Sequence, residues 1–228
     1  MSEKDLDSSI NDYNEINDPK GYFKQLEWDM AIGLQEVDNL EPSKYLEELI
    51  EKSILGELTI EEVEKELKDY YIEKEKQNSI NYNELECDFV SMRIVELLEK
   101  DDFELSIDYL KYIHKYLFQD VYEFAGEFRN VNFSKHEIIL NNDSVAYGDY
   151  KTLTESLEYD IRLEKEKNYK DMSIVDVIKN ITDFSSSIWQ VHPFREGNTR
   201  TIALFIEKYL ISLGYNVYKS LFKDKSVY

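Results

Sequence analysis

Ten residues constrain this 228-residue chain more than any other stretch: His192-Pro193-Phe194-Arg195-Glu196-Gly197-Asn198-Thr199-Arg200-Thr201. They force a tight turn between two helices and crowd polar chemistry into it. Only three prolines and seven glycines occur in the whole chain, so Pro193 and Gly197 punctuate the turn by themselves. Upstream, Ile174, Val177, Ile178, Ile181, Ser185 and Ile188 recur at threes and fours with one polar gap, which predicts a helix over about residues 173–190. Downstream, Ile202, Phe205, Ile206, Tyr209 and Leu210 mark the buried face of a second helix over about residues 199–213, and Gly214 is placed to cap its end.

The residue types in the turn suit phosphate chemistry. A helix leaves its first N–H groups without intrahelical partners and carries partial positive charge there, so phosphate oxygens can bind to the backbone alone. Gly197 lets a ligand approach the backbone closely. Asn198 is a favoured N-cap residue whose amide can also donate to a phosphate oxygen. Thr199 adds a backbone N–H and a hydroxyl in the same turn, and Arg200 offers a planar fork of donors. Glu196 supplies the hard oxygen that Mg²⁺ accepts alongside nucleotide phosphates. His192 precedes all of these, and an imidazole with an ordinary pKa of about 6.5 can take the proton of an attacking hydroxyl. Pro193 biases His192 toward extended backbone, so the upstream helix should stop there.

This pattern resembles the signature of the Fic family (filamentation induced by cyclic AMP), His-x-Phe-x-(Asp/Glu)-Gly-Asn-Gly-Arg-x-x-Arg. His192, Phe194, Glu196, Gly197, Asn198 and Arg200 match it in one run. The stretch Tyr122–Lys135 is similar to the one that leads into the Fic flap, a short hairpin that aligns a target peptide. Phe133, Ser134, Lys135, Glu137 and Ile138 would be its aligning residues. The resemblance covers about residues 83–222. It implies a mainly α fold: a Fic-type helical core, a short β-hairpin flap and an N-terminal helical module. It also implies transfer of AMP from ATP, with Mg²⁺, to a Ser, Thr or Tyr hydroxyl of a protein, the chain itself included. On that analogy His192 is the general base, Glu196 holds the metal, Gly197, Asn198 and Thr199 form the anion hole, and Arg200 steadies the phosphates.

Two positions depart from the family pattern: Thr199 stands where glycine is usual, and Ala203 where a second arginine orients the γ-phosphate. Ala203 lies three residues after Arg200, on the same helix face. The segment Trp28–Ile50 resembles an antitoxin module of the Vbh type, in which a helix carries (Ser/Thr)-x-x-x-Glu-(Gly/Asn). Aligned through Leu40-Glu41-Pro42, the chain offers Leu34, Asp38 and Asn39 there, so the serine is lost and the glutamate is shortened. Asp38 and Asn39 read equally well as an ordinary cap or turn.

The organisation expected is a disordered segment over 1–20, an inhibitory helical module over 21–78 and a Fic domain over 79–228. Thr59-Ile60-Glu61-Glu62 is a capping box that starts one helix of the module, and Pro42-Ser43 starts another. Core helices are expected at about 83–99, 103–118, 144–165 and 173–190. A net charge of −21 argues against a nucleic-acid surface, which needs clustered Lys and Arg. Cys87 is the sole cysteine, so no intrachain disulfide forms and no Cys/His pattern suggests zinc. With no apolar run of membrane-spanning length and no signal-peptide pattern, a cytoplasmic protein without membrane contact is expected. The partner is a protein bearing a hydroxyl, with self-modification and homo-oligomers as further possibilities. The competing reading is a degenerate Fic protein that binds in a toxin–antitoxin-like manner, or a transferase that uses another nucleotide.

Overall fold

Short polar side chains set four of the helix starts among the described residues. Ser43, Thr59, Ser106 and Ser173 each hold extended backbone and accept a hydrogen bond from the N–H three residues on, at Leu46, Glu62, Tyr109 and Asp176. At Thr59 the box is reciprocal, since the Glu62 carboxylate accepts from the Thr59 N–H at 2.8 Å. A computed structural model describes residues 19–137 and 143–215. Its helices are α1 (Pro19–Glu36), α2 (Lys44–Ile54), α3 (Ile60–Lys76), α4 (Tyr82–Glu99), α5 (Ile107–Phe118), α6 (Leu153–Lys165), α7 (Ile174–Val191) and α8 (Asn198–Ser212). Between α5 and α6, β1 (Ser134–Glu137) pairs antiparallel with β2 (Asp143–Ala146), Ser134 facing Ala146 and Glu137 facing Asp143. The described residues are therefore mainly α. None of these helices is long and apolar enough to cross a membrane.

The described chain divides into two compact units, one reaching Glu96 and the other beginning at Leu97. In the first, α2 packs on α1 and on α3. Buried Asp88 of α4 ties these pieces together: its carboxylate accepts from the Ser43 N–H (2.9 Å), the Ser43 hydroxyl (2.6 Å) and the Tyr71 hydroxyl (2.8 Å). Trp28 is fully buried and its indole N–H donates to Ser53 Oγ at 3.2 Å. In the second unit α5 packs on α6 and α8, and α7 on α6 and α8, which closes a ring of four helices. Its centre is apolar, with Leu110, Ile113, Leu117, Leu157, Ile188, Ile202 and Phe205 buried. The ring brings the end of α7 and the start of α8 to one place.

Three sequence expectations change here. A helix over 144–165 is not found: residues 143–146 are strand and α6 begins only at Leu153. The Gly148 N–H donates to Gln190 O and its carbonyl accepts from Arg129, bonds to distant chain that replace the helical ladder. The helix expected from 103 starts at Ile107, after the Ser106 cap. In α7 the buried stripe is Val177, Ile181, Phe184, Ile188 and Val191, whereas Ile174 and Ile178 are about three-fifths exposed. Phe184, absent from the sequence-derived face, rotates the helix toward itself. The expected disorder of 1–20 falls almost wholly outside the described residues.

Candidate active site

Helix α7 ends because His192 turns left-handed. Its φ of 49° and ψ of 65° break the ladder, and its N–H closes on Trp189 O at 3.1 Å. The expected stop is there, but not the extended backbone that a following proline favours. Hydrogen bonds overrule that local preference. Arg129, only 3% exposed, donates through Nε to His192 O (2.8 Å) and through Nη2 to Val191 O (3.1 Å), and its backbone N–H donates to Pro193 O (2.9 Å). The same guanidinium reaches Val131 O (2.8 Å), Asn132 Oδ1 (3.3 Å) and the Gly148 carbonyl. Arg129 is not among the site residues expected from the sequence, although Gly126-Glu127-Phe128-Arg129 lies within the stretch similar to the approach to the flap.

The His192 imidazole is 5% exposed and stacks on Tyr147, with centroids 3.9 Å apart and an 18° angle. Phe133 meets it edge-on at 5.6 Å. Phe133 and Tyr147 stand just outside the two strands, so the base of the hairpin touches the histidine. A cavity of about 600 Å³ is lined by Tyr147, Gly148, Thr152, Ser156, Gln190 and Val191 among others, and neither His192 nor the turn over residues 194–200 forms part of its wall. Of the other expected flap residues, Ser134, Lys135 and Glu137 lie in β1, and Ile138 falls outside the described residues.

Past His192 the chain turns through Phe194, which is fully buried and stacks on His114 at 3.8 Å. Gly197, with φ of 74°, is the N-cap of α8. The position expected of Asn198 is thereby corrected. Asn198 is the first helical residue, 3% exposed, and its amide closes the turn by accepting from the Phe194 N–H and donating to Phe194 O, both at 2.8 Å. Its side chain is spent on structure. What remains for an anion is backbone: the first helical bond runs from Thr201 N–H to Gly197 O, so the N–H groups of Asn198, Thr199 and Arg200 precede the ladder.

Gly197 also answers to packing. A Cβ built on it would lie 2.5 Å from Cε2 and Cζ of Phe118, far inside contact distance. Arg200 is 1% exposed, its guanidinium 4.7 Å from the centre of the same ring and Nη2 3.4 Å from the Tyr122 hydroxyl. A full positive charge thus sits within the first turn of α8. Glu196 is exposed beside that turn, and Mg²⁺ is commonly held by one or two carboxylates together with substrate phosphates and waters. Arg195 is exposed as well, 2.9 Å from Asn130 Oδ1 and over the Phe124 ring. Ala203 is buried and brings no charge.

His114, within α5, is structural. It is fully buried; Nδ1 accepts from the Gly126 N–H at 2.8 Å, so the proton is on Nε2, which donates to Glu196 O at 3.1 Å. Burial pushes its pKa down from 6.5 to about 4 against the favourable bond to Glu196 O, and the Arg200 charge adds to the depression. The folded value lies below the unfolded one, so the stabilisation is complete above about pH 6.5 and is lost as pH falls toward 4. Relative to a non-titrating His114→Gln variant, the wild type should lose up to about 3 kcal/mol across that window in denaturant titrations. A constant difference between the two proteins would contradict this.

In the first unit, Leu34 is fully buried, while Asp38 and Asn39 are exposed and form the turn that closes α1. Asn39 is left-handed, with φ of 57°, and the Leu40 N–H returns to Gln35 O at 3.2 Å. This is the ordinary helix-ending use of asparagine.

The turn between α7 and α8 thus carries a histidine, a glutamate and an arginine within nine residues, in a mainly helical unit. Residues 104–210 match the model of the Fic/DOC family, and this segment is a Fic domain. Among curated proteins, the chain is 32% identical over 116 residues to the protein adenylyltransferase VbhT of Bartonella schoenbuchensis, covering 50% of this chain and 23% of that protein. It is 29% identical over 122 residues to a protein adenylyltransferase of Bartonella henselae, covering 50% and 22%. The match thus spans under a quarter of either relative. Among solved structures, the type IV secretion system effector protein BepA superposes with a TM-score of 0.51 at 23% identity, over 61% of this chain and 51% of that one, which supports the fold alone.

Proposed function

We propose that this protein transfers AMP from ATP to a hydroxyl of a protein, with His192 as general base. The observation that carries the reading is the juxtaposition of the imidazole, held at a left-handed helix end, with the N-terminus of α8 directly after it. The relatives' names support the donor and the reaction. The acceptor oxygen attacks the α-phosphorus, its proton passes to His192, and the bond to the pyrophosphate oxygen breaks. The N–H groups of Asn198, Thr199 and Arg200, with the Arg200 charge behind them, stabilise negative charge on the phosphates, and positioning does much of the rest. Glu196 would hold Mg²⁺, which neutralises phosphate charge when bound. The hairpin through β1 and β2 would align the acceptor segment, and homologues of this kind support a protein as that partner.

Ala203 favours a second reading, a transferase that uses another nucleotide or a degenerate domain that only binds, because no guanidinium stands at that position for the terminal phosphate. Incubation with Mg²⁺ and each nucleoside triphosphate, followed by intact mass, decides between them. A gain of one adenylyl group on the chain or on added protein is expected with ATP. A gain only with another triphosphate replaces the donor, and binding without any covalent gain rejects the transferase. Regulation by residues 21–78 belongs to the same proposal in weak form. Asp38 is one methylene shorter than glutamate and Ala203 offers it no positive partner, so Asp38→Ala should change self-modification little. A large activation in that variant would mean that Asp38 does block the site.

A further inference from the structure

Arg129 holds more backbone than any other side chain around the histidine. Carbonyls at the end of a helix lack intrahelical donors, and a cation there also opposes the negative end of the helix dipole. Val191, His192 and Pro193 all direct carbonyls to Arg129, to its guanidinium or to its backbone N–H. A β-substituted residue at φ of 49° is strained, and such strain persists only where surrounding bonds over-determine it. The remaining donors of the fork go to Val131, Asn132 and Gly148, on both sides of the hairpin. Two residues on from Val131, Phe133 meets the imidazole edge-on, and directly before Gly148, Tyr147 stacks on it. The Arg129 Cζ lies 5.3 Å from the Phe133 ring as well. One buried guanidinium therefore joins the end of α7, the entry to β1 and the exit of β2. Lysine could not do the same, since an ammonium has no planar fork and reaches fewer directions at once.

We propose that Arg129 is the positioning residue of His192: it locks the left-handed turn and seats Phe133 and Tyr147 against the imidazole, so that the ring faces the start of α8 in a single orientation. The inference rests on the reading of His192 as the base, and its test separates the two.

In the full chain, the His192 ring-proton resonances, assigned by their loss in His192→Ala, should be shifted upfield by the Tyr147 ring. Arg129→Lys should move them toward their free-imidazole positions and broaden them. In the same variant kcat for nucleotide transfer should fall by up to about 10²-fold, the scale of a misplacement near 1 Å, with the KM for nucleotide within threefold of wild type. Asn132→Ala, at an exposed position, removes one acceptor of the fork without leaving a buried charge and should shift the same resonances part of the way. It keeps the test decisive if Arg129→Lys fails to fold. Unmoved His192 resonances in the folded variants, or a loss expressed in KM alone, would overturn the proposal. Should wild-type protein transfer nothing, the functional reading fails, and the resonances still decide whether Arg129 sets the histidine.

Discussion

His192→Ala is expected to lower the rate of nucleotide transfer by ~10² to 10⁴ while leaving the nucleotide dissociation constant within about threefold of wild type. The asymmetry follows from the geometry. The imidazole stands before the helix start, boxed by Tyr147 and Phe133, whereas the groups available to phosphates are the N–H groups of α8, the Arg200 charge and, through Mg²⁺, the Glu196 carboxylate. Removal of the ring leaves those untouched. Single-turnover transfer and calorimetric nucleotide binding measure the two halves separately. Wild-type turnover in the variant would mean that another group takes the acceptor proton, and a lost affinity would place the histidine on the donor instead.

The second large effect concerns Gly197. Gly197→Ala should destabilise the protein by roughly 2–5 kcal/mol, adding the strain of a left-handed alanine to the overpacking of a filled core. The ring it strikes cannot step aside, because Phe118 is fully buried, with His114 and Tyr122 against it and Arg200 above it. For a unit of this size the melting temperature should drop by about 10 °C. Combining the change with Phe118→Leu should give a loss smaller than the sum of the two single losses by about 1–2 kcal/mol, since the smaller side chain removes the clash. Strict additivity would show that the glycine answers to something other than that ring.

These two residues also illustrate how unevenly the chain discloses itself. Helix starts at Ser43, Thr59 and Ser173 and the end of α8 at Gly214 are local matters, decided within four residues of the bond they make. They were legible for that reason. The part played by Asn198 was misplaced because its amide has two outlets of similar strength, an anion or the backbone of Phe194, and only the closed turn shows which is within reach. Residues 144–152 read as helix because the apolar spacing of Leu153, Leu157 and Ile161 extends backward without interruption. The pairing of β2 with β1 and the bonds of Gly148 come from chain far away in sequence.

By itself, then, the sequence determined that the chain is mainly α, that two helices meet at a proline- and glycine-marked turn, and that histidine, glutamate and arginine share it. Local propensity and short-range hydrogen bonds suffice for that. Only the tertiary structure decided that His192 is left-handed, that Gly197 is required by Phe118, and that Arg129, 63 residues from His192, holds the histidine's carbonyl. A buried guanidinium is chosen by the carbonyls that surround it, and those belong to three separate stretches of chain, at Val131, Gly148 and Val191-His192, that no spacing in the sequence connects.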